Sequence, residues 1–98
     1  MVKLRFHPGA NRDFRDAYLY YYSQNPKAAA EFALAIEGAT LRIQEAPESF
    51  PKRGRYCRML ILSNFPYSVI YRVFADSITV IAIAHGSRKP GYWRNRLA

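Results

Sequence analysis

A single cysteine, Cys57, among 98 residues rules out an intrachain disulfide and sets aside the stapled scaffold of many small secreted proteins. No apolar run approaches the ~20 residues of a membrane-spanning helix, and no leader pattern opens the chain. The expectation is a cytoplasmic protein with no membrane contact. Only two histidines accompany the cysteine, and the acids are scattered. No ligand spacing for a metal results, so neither metal nor cofactor is expected. A glycine-rich phosphate loop is missing, and no serine sits in a nucleophile-elbow context.

Acid is scarce in one half only. Residues 1–49 carry six Lys/Arg and six Asp/Glu, whereas residues 50–98 carry nine Lys/Arg and only Asp76. The whole net charge of +8 therefore lies in the second half. A one-sided excess is an electrostatic footprint for a polyanion or an acidic protein partner. A basic nucleic-acid-binding module with no further activity is one function class compatible with it.

The length holds a single domain, residues 1–98, with a small core. Val2, Leu4 and Phe6 alternate with Lys3, Arg5 and His7, which predicts a half-buried first strand. Pro8 opens a helix to about Gln24, with Phe14, Ala17, Tyr18 and Tyr21 at helical spacing. Asn25 and Pro26 supply an N-cap and a first-turn proline for a second helix. That helix runs to about Glu45, with Phe32, Ile36, Ala39 and Ile43 on one face. Leu34 and Leu41 widen the stripe and predict burial on more than one side. A loop from Ala46 to Pro51 leads to three strands: about Arg55–Leu62, Tyr67–Phe74 and Ile78–Ala84. The last is nearly all apolar and is expected to be central and most buried. Helices precede most strands, so the class is α+β: a helix hairpin over one face of a sheet of about four strands. The first strand is expected antiparallel beside the last ones, and the other sheet face open and basic.

Chemistry concentrates after the last strand, in residues 84–96, where a His, four cations, a Tyr and the single Trp follow one another. His85 fits either a structural hydrogen bond or general acid–base work. Arg88 fits either a solvated surface or phosphate binding. Tyr92 and Trp93 either contact a target or fold back as an anchor. If the tail is only functional, the domain folds without it. Arg58 and Arg72 join Arg53, Arg55 and Arg88 in one patch if they face the open side of the sheet, and Lys89 and Arg94 are further candidates for contact with a nucleic acid or target. Cys57 falls inside a strand and reads as a small buried hydrophobe. Asp13 and Asp16, one helical turn apart beside Arg12 and Arg15, read as a solvated charged face. The four tyrosines within Tyr18–Tyr22 read as helix packing with one exposed edge.

This order of elements, with Phe65-Pro-Tyr-Ser-Val-Ile-Tyr-Arg-Val73 and then Ala84-His-Gly-Ser-Arg88, resembles the RelE/ParE superfamily of bacterial toxins. The opening Leu4-Arg-Phe-His-Pro8 and the Ala46-Pro-Glu loop match as well, so the resemblance covers essentially the whole chain. It implies an N-terminal strand, an antiparallel helix hairpin and a three-stranded antiparallel meander. It also implies a type II toxin–antitoxin (plasmid stabilisation) module, in which an antitoxin from the adjacent gene folds onto the toxin, as a hetero-oligomer or around a homodimer. RelE-like members cleave mRNA on the ribosome with basic sheet residues and a late Arg, often joined by a Tyr or His. ParE-like members poison DNA gyrase and lack that set. Arg88 matches the late arginine, and Tyr92 lies near the tail aromatic. The middle-strand arginine is missing, since Ser68 follows Tyr67, and so is a lysine pair, since Met59, Leu60 and Ile61 follow Arg58. The resemblance therefore leans to the ParE side. A nuclease would need Arg58, Arg88 and His85 or Tyr92 at one phosphate-sized site.

Overall fold

A computed structural model describes residues 2–98. The first strand, β1 (Lys3–Phe6), turns Leu4 and Phe6 toward the core and leaves Lys3 and Arg5 outside. His7 caps α1 (Pro8–Gln24), its Nδ1 accepting from Gly9 N at 2.9 Å. Asn25 caps α2 (Pro26–Glu45) through its side-chain oxygen, which accepts from Lys27 N at 3.0 Å. Each helix starts on a proline, which lacks the N–H that a first turn cannot use. Four further strands follow: β2 (Lys52–Arg53), β3 (Cys57–Ile61), β4 (Tyr67–Val73) and β5 (Ser77–His85). They form one five-stranded sheet in the order β1-β5-β4-β3-β2.

The α+β class and the antiparallel β3–β4–β5 meander are as expected. Two expectations need correction. The sheet has five strands, because residues 52–53 pair with residues 57–58. In addition, β1 lies at the edge and runs parallel to β5, Lys3 opposite Ser77 and Phe6 opposite Val80. The two corrections share a cause. The unexpected strand β2 reverses the chain once more, and each reversal inverts the direction in which β5 arrives beside β1.

The main core lies between the helix pair and the sheet, where Phe32, Ile36, Ala39 and Ile43 meet Val69, Tyr71, Ile78, Val80 and Ile83. Tyr21 joins it, its ring 5.2 Å from Phe32 and 5.3 Å from Phe65, while Tyr20 and Tyr22 stay outside. The predicted two-sided burial of α2 does not occur: Leu34 is 66% exposed and Leu41 43%. Each lies two residues past a core position, more than half a turn away, and among the described residues no third layer covers that side.

The other face of the sheet is not open either. Trp93 lies across it, 4% exposed, against Cys57, Ile70, Ile81 and Ala82. Covered on both faces, β5 has no solvated side to make polar, and its longest buried run is Val80–Ile83. Burial raises the Cys57 thiol above its ordinary pKa, which suits the apolar role expected of it.

Candidate functional site

The tail returns because Gly91 adopts a left-handed backbone, φ 75°, which costs glycine nothing. A 3₁₀ turn over Arg94–Leu97 then brings Arg96 back to α1. There Asp13 receives four hydrogen bonds. Its Oδ2 accepts from Arg96 Nη1 at 2.7 Å, the Tyr92 hydroxyl at 3.0 Å and Ile83 N at 3.1 Å. Its Oδ1 accepts from Arg96 Nη2 at 3.2 Å. Arg96 Nη1 also donates to Ile81 O at 3.0 Å.

The geometry of the sheet creates the need for this cluster. β1 ends at Phe6, opposite Val80, so among the described residues β5 has no strand partner on that side from Ile81 onward. A register shift opposite Ile70 and Tyr71 leaves Ile81 without a partner on β4. Side chains from α1 and the tail therefore satisfy Ile81 O and Ile83 N, which would otherwise be an open sheet edge. Asp13 is not the solvated residue its neighbours suggested: its side chain is 8% exposed, and that of Arg96 is 14%. Only Asp16 behaves as predicted, 76% exposed and 3.9 Å from Arg15.

Tyr92 links this latch to the basic surface. Its ring carries the Arg88 guanidinium 3.8 Å from the centroid, with Arg96 at 5.2 Å. Burial first, and the Asp13 carboxylate second, raise the Tyr92 phenol to about 12. Between its ordinary value of 10.0 and about 12, the unfolded chain releases this proton while the folded chain keeps it. Stability present below that window is therefore lost as pH rises through it. Tyr92→Phe should remove this part of the alkaline stability loss. Urea melts of both proteins across the window test it, and parallel pH profiles would count against it.

The predicted site residues divide into two groups. His85, Arg88, Lys89, Tyr92, Trp93 and Arg53 line a groove of about 380 Å³ on the tail side of the sheet. Arg55 and Arg58 line a separate hollow at the β2–β3 end, with Tyr56 and Phe74. Arg72 stacks on those two rings at 4.8 and 4.9 Å. Arg94 is exposed, its guanidinium against Gly91. One patch of all the cations is thus not what forms. Arg58 pairs with core-facing Tyr71 and is on the helix side, its Nη1 donating to Phe50 O at 2.8 Å. Trp93 takes the anchor option, 4% exposed within the second core, although it also lines the groove.

His85 takes the structural option. Its Nδ1 accepts from Ser87 N at 2.9 Å and lies 2.8 Å from Ser87 Oγ, and its ring meets Tyr67 edge-on at 4.9 Å. With that lone pair engaged, the neutral ring presents Nε2–H, a donor rather than a base. Among the described residues, no group of three or more His, Cys, Asp and Glu could hold a metal, and no helix is long and apolar enough to cross a membrane.

Asp13, Arg96 and Gly9 were missed by sequence reasoning. Gly9 is part of the latch because a Cβ there would stand 2.6 Å from Arg96 Cζ. A signal was present: Gly9, Ala10, Asp13 and Ala17 share helical spacing, and the other three are buried small residues. An acid within such a stripe points inward.

Known proteins match this chain. The family described as the ParE toxin of the type II toxin–antitoxin system parDE matches residues 4–90. Toxin ParE2 of Mycobacterium tuberculosis, in two strains, is 32% identical over 89 residues, covering 90% of this chain and 85% of the relative. A solved structure of the chromosomal ParDE TA system from P. aeruginosa superposes with a TM-score of 0.76 at 22% identity, over 87% of this chain and 96% of that one. That structure shares the fold. With the family match across nearly its whole length, this chain belongs to the ParE toxin family of type II toxin–antitoxin systems.

Proposed function

We propose that this toxin arrests growth by poisoning a large essential target, DNA gyrase, without cutting nucleic acid. Family membership implies a cognate antitoxin, which on this reading the adjacent gene encodes. The observation that carries the reading is the separation of Arg58 from Arg88 and His85. A cut at a ribose 2′-hydroxyl needs a base, an acid and a cation at one phosphate. Here Arg58 is tied to the helix-side loop, His85 has its lone pair engaged, and the Tyr92 phenol is pushed up to about 12. The exposed Leu19, Leu34 and Leu41 of the hairpin, with the basic second half, suit an acidic amphipathic antitoxin segment that orders on binding.

Induced alone, the protein should stop bacterial growth, and the adjacent gene should restore it. Purified toxin should inhibit gyrase supercoiling, and mRNA from arrested cells should carry no new ribosome-phased cuts. Such cuts, with gyrase unaffected, would replace this reading by the mRNA endonuclease. Arg88→Ala should melt like the parent and lose toxicity; full toxicity in that variant would remove Arg88 from the target contact.

A further inference from the structure

We propose that the groove on the tail side of the sheet is a phosphate site for the backbone of single-stranded nucleic acid. This inference does not depend on which target the toxin poisons. The sheet order places Arg53, on β2, across the groove from Arg88 and Lys89, in the turn after β5. Three cations therefore reach one recess of about 380 Å³ from two sides, and among the described residues no carboxylate lines it. Its floor is the apolar or small surface of Met59, Ile70 and Ala84. A phosphodiester accepts at two free oxygens and so can be held from both flanks.

The alternative anion, a carboxylate on an acidic peptide, fits less well. The groove lies on a sheet face, where the backbone groups of β3, β4 and β5 already pair with one another. A peptide crossing it would find side-chain donors but no ladder for its own backbone. A nucleic-acid strand has no such ladder to satisfy, and phosphate contacts supply most of its non-specific affinity. Arg88 is also held before binding: its guanidinium rests on the Tyr92 ring, and Tyr92 donates to Asp13. Less side-chain freedom is then lost when the anion arrives. Base stacking has no platform, because Trp93 is buried and the Tyr92 face is occupied. Binding should therefore be indifferent to sequence and steep in salt.

The test is fluorescence anisotropy of the intact protein with a labelled single-stranded oligodeoxynucleotide over a range of salt concentrations. Each phosphate contact contributes roughly 0.7 to the slope of log affinity against log salt. Arg88→Gln and Arg53→Gln should each lower that slope by about 0.7 and weaken binding about tenfold. Arg15→Gln removes the same charge from the exposed surface of α1, outside the lining of the groove, where solvent screens it, and should change affinity by no more than about twofold. Emission from Trp93, the only tryptophan, should shift on binding because it lines the groove. Inorganic phosphate should compete. If the two groove variants match Arg15→Gln, the groove is not the site. If a polyglutamate peptide moves the Trp93 emission and the oligonucleotide does not, the groove serves a protein and the proposal fails. If only inorganic phosphate binds, the nucleic-acid assignment fails.

Discussion

Asp13→Asn is expected to lower the unfolding free energy by ~3–5 kcal/mol, the usual result of removing one partner from a buried ion pair. Asparagine keeps the shape and one acceptor oxygen for Ile83 N or Tyr92. What it removes is the charge opposite Arg96, whose guanidinium is 14% exposed and cannot regain its water without leaving the site. In a chain of this size that loss lowers the melting midpoint by on the order of 20 °C. Arg96→Gln should also destabilise, and the double variant should lose less than the sum of the two, because no unpaired charge is then buried. Gly9→Ala should act in the same direction. Alanine ordinarily favours a helix interior over glycine by ~1 kcal/mol, but its Cβ would occupy the path of the Arg96 side chain. Urea melts of the four variants decide the matter. Asp13→Asn within about 0.5 kcal/mol of the parent would mean that the latch does not hold the tail.

What the sequence revealed and what it hid differ by the range of the forces involved. Both helices were legible from Pro8 and from Asn25-Pro26, because capping and proline geometry are local. The meander strands were legible from alternation. β2 was not: two residues between Pro51 and Gly54 have no period, and their pairing is made by β3. The direction of β1 failed with it. Parity on β3 could have placed Arg58, since it shares a side with Leu60, which is 2% exposed in the main core. Charge drew attention to the tail, where Arg88 and Lys89 line the groove, yet the same cue concealed Arg96, whose charge is used inward. The pairing of Asp13 with Arg96 spans 83 positions, and no local pattern carries a contact of that length. The apolar outer side of α2 misled in the opposite sense. Leu34 and Leu41 look like core in isolation, and only the absence of a third layer shows that they are surface.

Removing the tail after His85 is expected to abolish cooperative folding. Read from its charge alone, the tail is a functional appendage that the domain can lose, and the structure reverses that expectation. Trp93 closes a second, smaller core over Cys57, Ile70, Ile81 and Ala82; truncating a buried Trp typically costs 3–5 kcal/mol. Truncation also strips Asp13 of Arg96 and Tyr92, and it frees the Ile81 carbonyl that Arg96 satisfies. The two losses together reach the 5–15 kcal/mol that an ordinary domain has in total. Trp93→Ala alone should melt cooperatively but ~3–5 kcal/mol lower, because the latch still holds residues 92–96. Arg88→Ala touches neither contact, since Arg88 is exposed and only stacks on Tyr92, and should melt like the parent. Loss of toxicity on truncation therefore says nothing about the target, whereas loss in Arg88→Ala does. A truncated chain that unfolds with the parent's midpoint would show that the second face of the sheet needs no cover. Trp93 would then have to be assigned to binding after all.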